Sequence, residues 1–164
     1  MRLPAEATGS DAPVRGDREG ELREFVTICH HAAQATSGTV DRIAQVGVIP
    51  NFHTVVIAYD DDQVAVLRHA ELPLVALAEP CPASDSFALQ PVHLTRSFGA
   101  ARFIDRPLIT AVITEFSDLR VMSAEELNAP LSRVDLSELS AGEHSEIAYW
   151  KPDTVGDLLF NFWD

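Results

Sequence analysis

Histidine is the one side chain with chemistry near neutral pH that recurs along this sequence, at His30, His31, His53, His69, His93 and His144. An imidazole can shuttle a proton or ligate a metal, so spacing decides whether any pair could work together. Adjacent His30 and His31 differ in direction by about 100° on a helix and cannot chelate one ion as an i, i+4 pair would. His31 lies opposite the apolar stripe of that helix and reads as solvated. His53 and His69 are more informative because they flank a predicted hairpin. With a two-residue loop at Asp61-Asp62, His69 falls across from Thr54 and His53 across from Ala70, so the two rings sit on opposite faces. A one-residue change in loop length would instead place them opposite each other on one face. Glu71 or Glu79 could then serve as a third ligand for a metal or acid–base site. Together with Tyr59, these two histidines are the catalytic candidates, and ordinary hydrogen-bonded strand histidines are the simpler reading.

Other patterns are weaker. Asp60-Asp61-Asp62 resembles a carboxylate cluster for metal, yet aspartates at a hairpin tip form turns readily because they tolerate positive φ. Cys29 next to His30 suggests a nucleophile and base, but sequence neighbours on a helix do not face each other, and Cys29 points inward. Cys81 is isolated, and no Cys/His spacing suits zinc. Only Gly99 occurs between Gly47 and Gly142, which excludes a glycine-rich phosphate loop. Neither a G-x-S-x-G elbow nor HExxH is present. The sequence therefore calls for no metal and no cofactor.

The formal charge is −13 and uneven: residues 115–164 hold three bases against eleven acids. Such a field repels phosphate backbones, which argues against direct nucleic-acid binding and leaves a basic protein partner or a solvated acidic face. No apolar run approaches the roughly 18 residues of a membrane span. The start, Met1 to Glu6, lacks the apolar core of a signal peptide, so a cytoplasmic protein is expected.

The elements that must position these residues follow from periodicity. Residues 1–18 show no apolar period and read as a flexible arm, with 19–164 forming a single domain. Leu22, Phe25, Val26, Cys29, Ala32 and Ala33 share one helical sector, predicting a helix over about 20–35. Val40, Ile43 and Ala44 suggest a second, shorter helix after Ser37-Gly38, capped at Gly47. The hairpin follows, with Val55, Ile57, Tyr59, Val64 and Val66 on one face and Val56, Ala58, Ala65 and Leu67 on the other. Both faces are apolar, so both should be covered. Residues 73–78 read as a third strand and 80–85 as a loop, while 86–106 stay ambiguous. Pro107 suits the first turn of a helix through Phe116. A short strand is expected at Leu119–Val121, and S-x-x-E capping boxes at Ser123 and Ser140 should start short helices. The fold class is α+β: two N-terminal helices, a central mostly antiparallel sheet of three to five strands, and a helical C-terminal third.

That last third closes on an aromatic concentration. Residues 149–164 carry five of the twelve aromatics, namely Tyr149, Trp150, Phe160, Phe162 and Trp163. Val155, Leu158, Leu159 and Phe162 form a helical stripe, with Thr154 and Asp157 as cap. The pattern Trp150-x-Pro152-x-x-x-Gly156-x-x-x-Phe160-Asn161-x-Trp163-Asp164 resembles the ending of short acidic actinobacterial proteins, a resemblance that implies no activity. Phe160 and Trp163 lie off the stripe, as Trp150 does, so they form either a second buried face or an interface centre. Asp164 and the α-carboxylate would burden a helix C-terminus unless an arginine such as Arg96, Arg102 or Arg106, or a partner's, relieves them. Two functions follow. The favoured one is a non-catalytic protein-interaction or regulatory module that contacts a basic partner through Trp150, Phe160, Trp163 and Asp164, with self-association left open. The other is a small enzyme or ligand-binding protein of bacterial secondary metabolism, with a pocket between the sheet and the last helix.

Overall fold

In the computed structural model, residues 1–9, 18–44, 51–80 and 102–163 are described. The expectations for Gly47, for 81–101 and for Asp164 lie outside these residues. The order is α1 (Arg18–Ala35), β1 (Thr39–Ala44), β2 (Phe52–Ala58), β3 (Gln63–His69), β4 (Leu74–Ala78), α2 (Pro107–Phe116), β5 (Arg120–Val121), α3 (Ala124–Leu127), a 3-10 turn (Leu131–Arg133), α4 (Ala141–Trp150) and α5 (Val155–Leu159). The five strands form one sheet in sequence order, antiparallel except for β5, which runs parallel to β4. The α+β class with a mostly antiparallel sheet is thus as the periodicity indicates. No helix among the described residues is long and apolar enough to cross a membrane.

Both sheet faces are covered, because β2, β3 and β4 alternate two apolar sets. Val55, Ile57, Val64, Val66, Val75 and Leu77 face Phe25, Ile28, Cys29, Ala32 and Ala33 of α1 and Ile109 and Ile113 of α2. On the opposite face, Phe52, Ala65, Leu67, Leu74 and Ala76 meet Met122, Leu127, Leu139, Val155, Leu158, Leu159 and Phe160. Full burial of a leucine or phenylalanine in such a layer contributes about 1.5–3 kcal/mol, so the two clusters carry most of the driving force. α2 is a helix despite its β-branched content, since Pro107 occupies the first turn and Ile109 and Ile113, at i, i+4, are both buried.

Two expectations are corrected. Val40, Ile43 and Ala44 belong to a strand, not to a second helix. Ser37 adopts φ +59, and the paired bonds Gly38 N–H to Ala33 C=O (2.8 Å) and Ser37 N–H to Gln34 C=O (3.3 Å) close α1 with a left-handed cap. That cap turns the chain onto β2, and a Cβ at Gly38 would meet Tyr59 Cε1 at 2.8 Å and Ile57 Cγ2 at 2.9 Å. Residues 39–44 therefore pair with 54–58 as an edge strand. The second correction concerns residues 1–9, which are no loose arm: Leu3, Ala7 and Thr8 are buried. Leu3 N–H donates to Asp135 C=O (3.1 Å) and Asp135 N–H to Met1 C=O (3.0 Å), and Arg2 pairs with Asp135 and Glu138.

The hairpin register is shifted by two residues. Phe52 pairs with His69, and Ala58 with Gln63, around a loop of residues 59–62 closed by Tyr59 N–H to Asp62 C=O at 2.8 Å. A shift of two preserves the face of every side chain, so the expected face sets stand although the partners change.

Candidate functional site

The docked N-terminal segment and the C-terminal tail meet at a buried polar clasp. His69, fully buried at the end of β3, accepts at Nδ1 from the N–H groups of Glu71 (3.1 Å) and Leu72 (3.0 Å). An acceptor of two donors carries no proton, so the ring is the neutral tautomer with Nε2–H donating to Ala7 C=O at 3.1 Å. Burial pushes its pKa down from 6.5 to about 4, against the smaller opposing influence of that backbone bond. Asn51 Nδ2 lies 3.4 Å from Nε2 and donates to the carbonyls of Thr8 and Leu159, each at 3.1 Å. Asn161 mirrors it: its Nδ2 donates to Thr8 C=O (3.0 Å) and Leu158 C=O (2.8 Å), and its N–H donates to Asn51 Oδ1 (3.0 Å). Glu143, also fully buried, closes the α4 capping box through Ser140 N–H (2.9 Å) and accepts from Thr8 N–H (3.2 Å). The clasp joins residues 7–8 to β2, β3, α4 and the tail. In a low-dielectric interior each of these groups would be costly without its partner.

Beyond the clasp the tail delivers its rings to two places. α5 ends at Leu159, so Phe162 and Trp163 lie past the helix. Phe160, expected on the partner face, is instead core: it is 6% exposed and packs against Phe52 (5.8 Å), His69 (6.2 Å) and Phe103 (6.2 Å). Phe162 sits edge-on to Phe52 at 5.1 Å. The Gly156 backbone presses on Phe103, where a Cβ would come within 2.7 Å of Cζ and overlap the ring edge.

Trp163 turns back the other way. Its N–H donates to Asn161 Oδ1 at 3.2 Å, and its indole stacks on Trp150 at 6.2 Å with the planes 6° apart. α4 positions Trp150 by ending at Lys151 in the left-handed conformation, where the Lys151 N–H still reaches Ile147 C=O. Tyr149 lies perpendicular to Trp150 at 5.1 Å. Trp163 packs partly against the core, while Trp150 is 40% and Tyr149 77% exposed. The result is a run of three large rings, with Tyr149 and Trp150 exposed and Trp163 half-buried against the core. Tyr149 was not among the expected partner residues, although its place beside Trp150 was the available signal.

The catalytic candidates do not converge. His53 pairs across from Arg68 and His69 from Phe52, so alternation puts the two imidazoles on opposite faces of the sheet. The Tyr59 hydroxyl bonds the Thr36 hydroxyl at 2.8 Å, on the α1 side. The space between the sheet and α5, where a pocket was expected, is filled by Leu67, Leu158, Leu159 and Phe160. Cys29 is buried, and desolvation pushes its thiol up to about 12. Asp62 at the hairpin tip pairs with Arg106. Among the described residues, no three His, Cys, Asp or Glu side chains are grouped to hold a metal ion. A shallow groove of about 430 Å³ lies between α1 and α2, lined by Arg23, Glu24, Thr27, Ile28, His31 and Phe116. His31 is exposed there, as its wheel position indicates, with its ring edge-on to Phe116 at 5.3 Å. Compared with known proteins, the chain matches no family model, no curated protein and no solved structure.

Proposed function

We propose that the chain is a non-catalytic protein-interaction module whose contact face is the run Tyr149, Trp150 and Trp163. The observation that carries this reading is the 77% exposure of Tyr149 and 40% exposure of Trp150 at the capped end of α4. Large exposed rings cost solvation in the isolated chain, and aromatic side chains concentrate at the centres of protein interfaces. The backbone support is pre-organised: a capped helix, the left-handed turn at Lys151 and the Asn161 bond to the Trp163 amide fix where the rings attach, so less backbone freedom is lost on docking. The environment of His69 agrees, because both ring nitrogens already hold backbone groups.

Lys151, the only lysine in the chain, adjoins these rings and provides the test. An amine-reactive cross-linker applied in a lysate of the source cells should join partner protein to Lys151. The Tyr149→Ser/Trp150→Ser variant should lose that adduct while keeping the wild-type circular dichroism spectrum and a cooperative thermal transition, its Tm lowered only by the lost ring contacts. Partners retained in the double variant would refute the assignment.

A further inference from the structure

We infer that the occupant of this aromatic face is an arginine-bearing basic segment of another protein, and not a second copy of this chain. The inference rests on the interaction reading above and adds the chemistry of the partner. Asp153 is exposed just beyond the left-handed turn that closes α4 after Tyr149 and Trp150. Lys151 is the single base in this stretch. Exposed ring faces in a strongly acidic stretch suit a guanidinium, which is planar and weakly hydrated. It can lie flat on an indole or phenol while directing N–H groups to a carboxylate. A lysine ammonium holds its water more tightly and has no flat face to stack.

Charge decides between the occupants. Residues 115–164 hold eleven acids and three bases, and the whole chain stands at −13. Two copies meeting through this face would bring like-charged surfaces within one screening length, about 8 Å at physiological salt. A basic segment meets the same field with attraction, which also speeds encounter.

The probe is a dye-labelled peptide of alternating glycine and arginine, titrated by fluorescence anisotropy against the full chain, with glycine–lysine and glycine–glutamate peptides as controls. The arginine peptide should bind saturably and several-fold more tightly than the lysine peptide, and the glutamate peptide should not bind. Trp150→Leu and Tyr149→Leu should each weaken binding about three- to tenfold with the circular dichroism spectrum unchanged, the loss of one cation–π partner. Asp153→Asn should weaken it less, and added salt should weaken it further. Equal affinity for the two basic peptides, or full binding to both leucine variants, would overturn the inference. So would a reversible dimer in sedimentation velocity that Trp150→Leu abolishes. If cross-linking at Lys151 captures a partner through the rings but the arginine peptide does not bind, only the partner chemistry falls. If neither occurs, the interaction reading falls with it.

Discussion

Acidification should destabilise this protein through His69 before its carboxylates titrate. In the fold the ring is fully buried, with Nδ1 accepting from two backbone N–H groups, so an imidazolium would set a third N–H against them. Arg68 next in the chain opposes the charged form, and buried Glu143 favours it less strongly than burial disfavours it. The unfolded chain carries no such constraint, and its histidine takes a proton near 6.5. The unfolded state therefore binds more protons between 6.5 and about 4, and stability falls as pH falls through that window. Above it the contribution is complete, and below it the loss is complete. The interval of about two and a half pH units at 1.36 kcal/mol per unit amounts to about 3 kcal/mol, a large share of the roughly 5–15 kcal/mol of a typical domain. Urea titrations at closely spaced pH values give the slope directly. His69→Asn is the informative control, because Oδ1 can still accept from the Glu71 and Leu72 amides but does not titrate. The variant should be about 1–3 kcal/mol less stable at neutral pH, from the lost Ala7 bond and ring packing. Its stability should also be several-fold less steep in pH between about 5 and 6.5, where few carboxylates contribute. A shared slope, or a His69 ring that titrates near 6.5 by NMR in the folded chain, would refute the reasoning.

Three further outcomes follow from the same packing. Gly156→Ala forces its methyl against the buried Phe103 ring and should cost about 1–3 kcal/mol by chemical denaturation, with partial recovery in Gly156→Ala/Phe103→Leu. Glu143→Ala removes the α4 capping box and the Thr8 contact together, so it should destabilise by about 2–4 kcal/mol and speed hydrogen exchange of the Thr8 amide. In a Cys81→Ser background, Cys29 should react with a thiol reagent only as fast as the protein opens, since burial holds it protonated; rapid native-state labelling would contradict that placement.

What could be read in advance was local. Ser123 with Glu126, Ser140 with Glu143 and Thr154 with Asp157 all form full capping boxes, because the motif closes within one turn. The hairpin faces were legible for a different reason: the pleat has period two, so even the wrong loop length left Val55, Ile57, Val64 and Val66 together. The edge strand was not legible. Val40, Ile43 and Ala44 fit a helical sector as well as a strand, and the left-handed cap at Ser37 decided between them. Residues 1–9 gave no periodic signal because they are held by single long-range bonds, Thr8 to Asn51, Glu143 and Asn161, rather than by a repeating face.

The closing motif was visible as a pattern, but its division of labour was not. Gly156, Phe160 and Asn161 lock the tail into the core, while Trp150 and Trp163 stack where solvent reaches them. Binding and folding should therefore separate within sixteen residues. Substitutions at Tyr149 and Trp150 act on a surface whose removal uncovers little of the core. Asn161→Ala leaves the buried Leu158 carbonyl without this donor, takes one of two amide donors from the Thr8 carbonyl and frees the Trp163 amide from its partner, so it should cost stability and displace the Trp163 indole at once. Partner affinity would then fall in Asn161→Ala without any change to an exposed ring. A loss of stability in that variant with fully retained binding would show that the stacked indole at 163 is dispensable to the face.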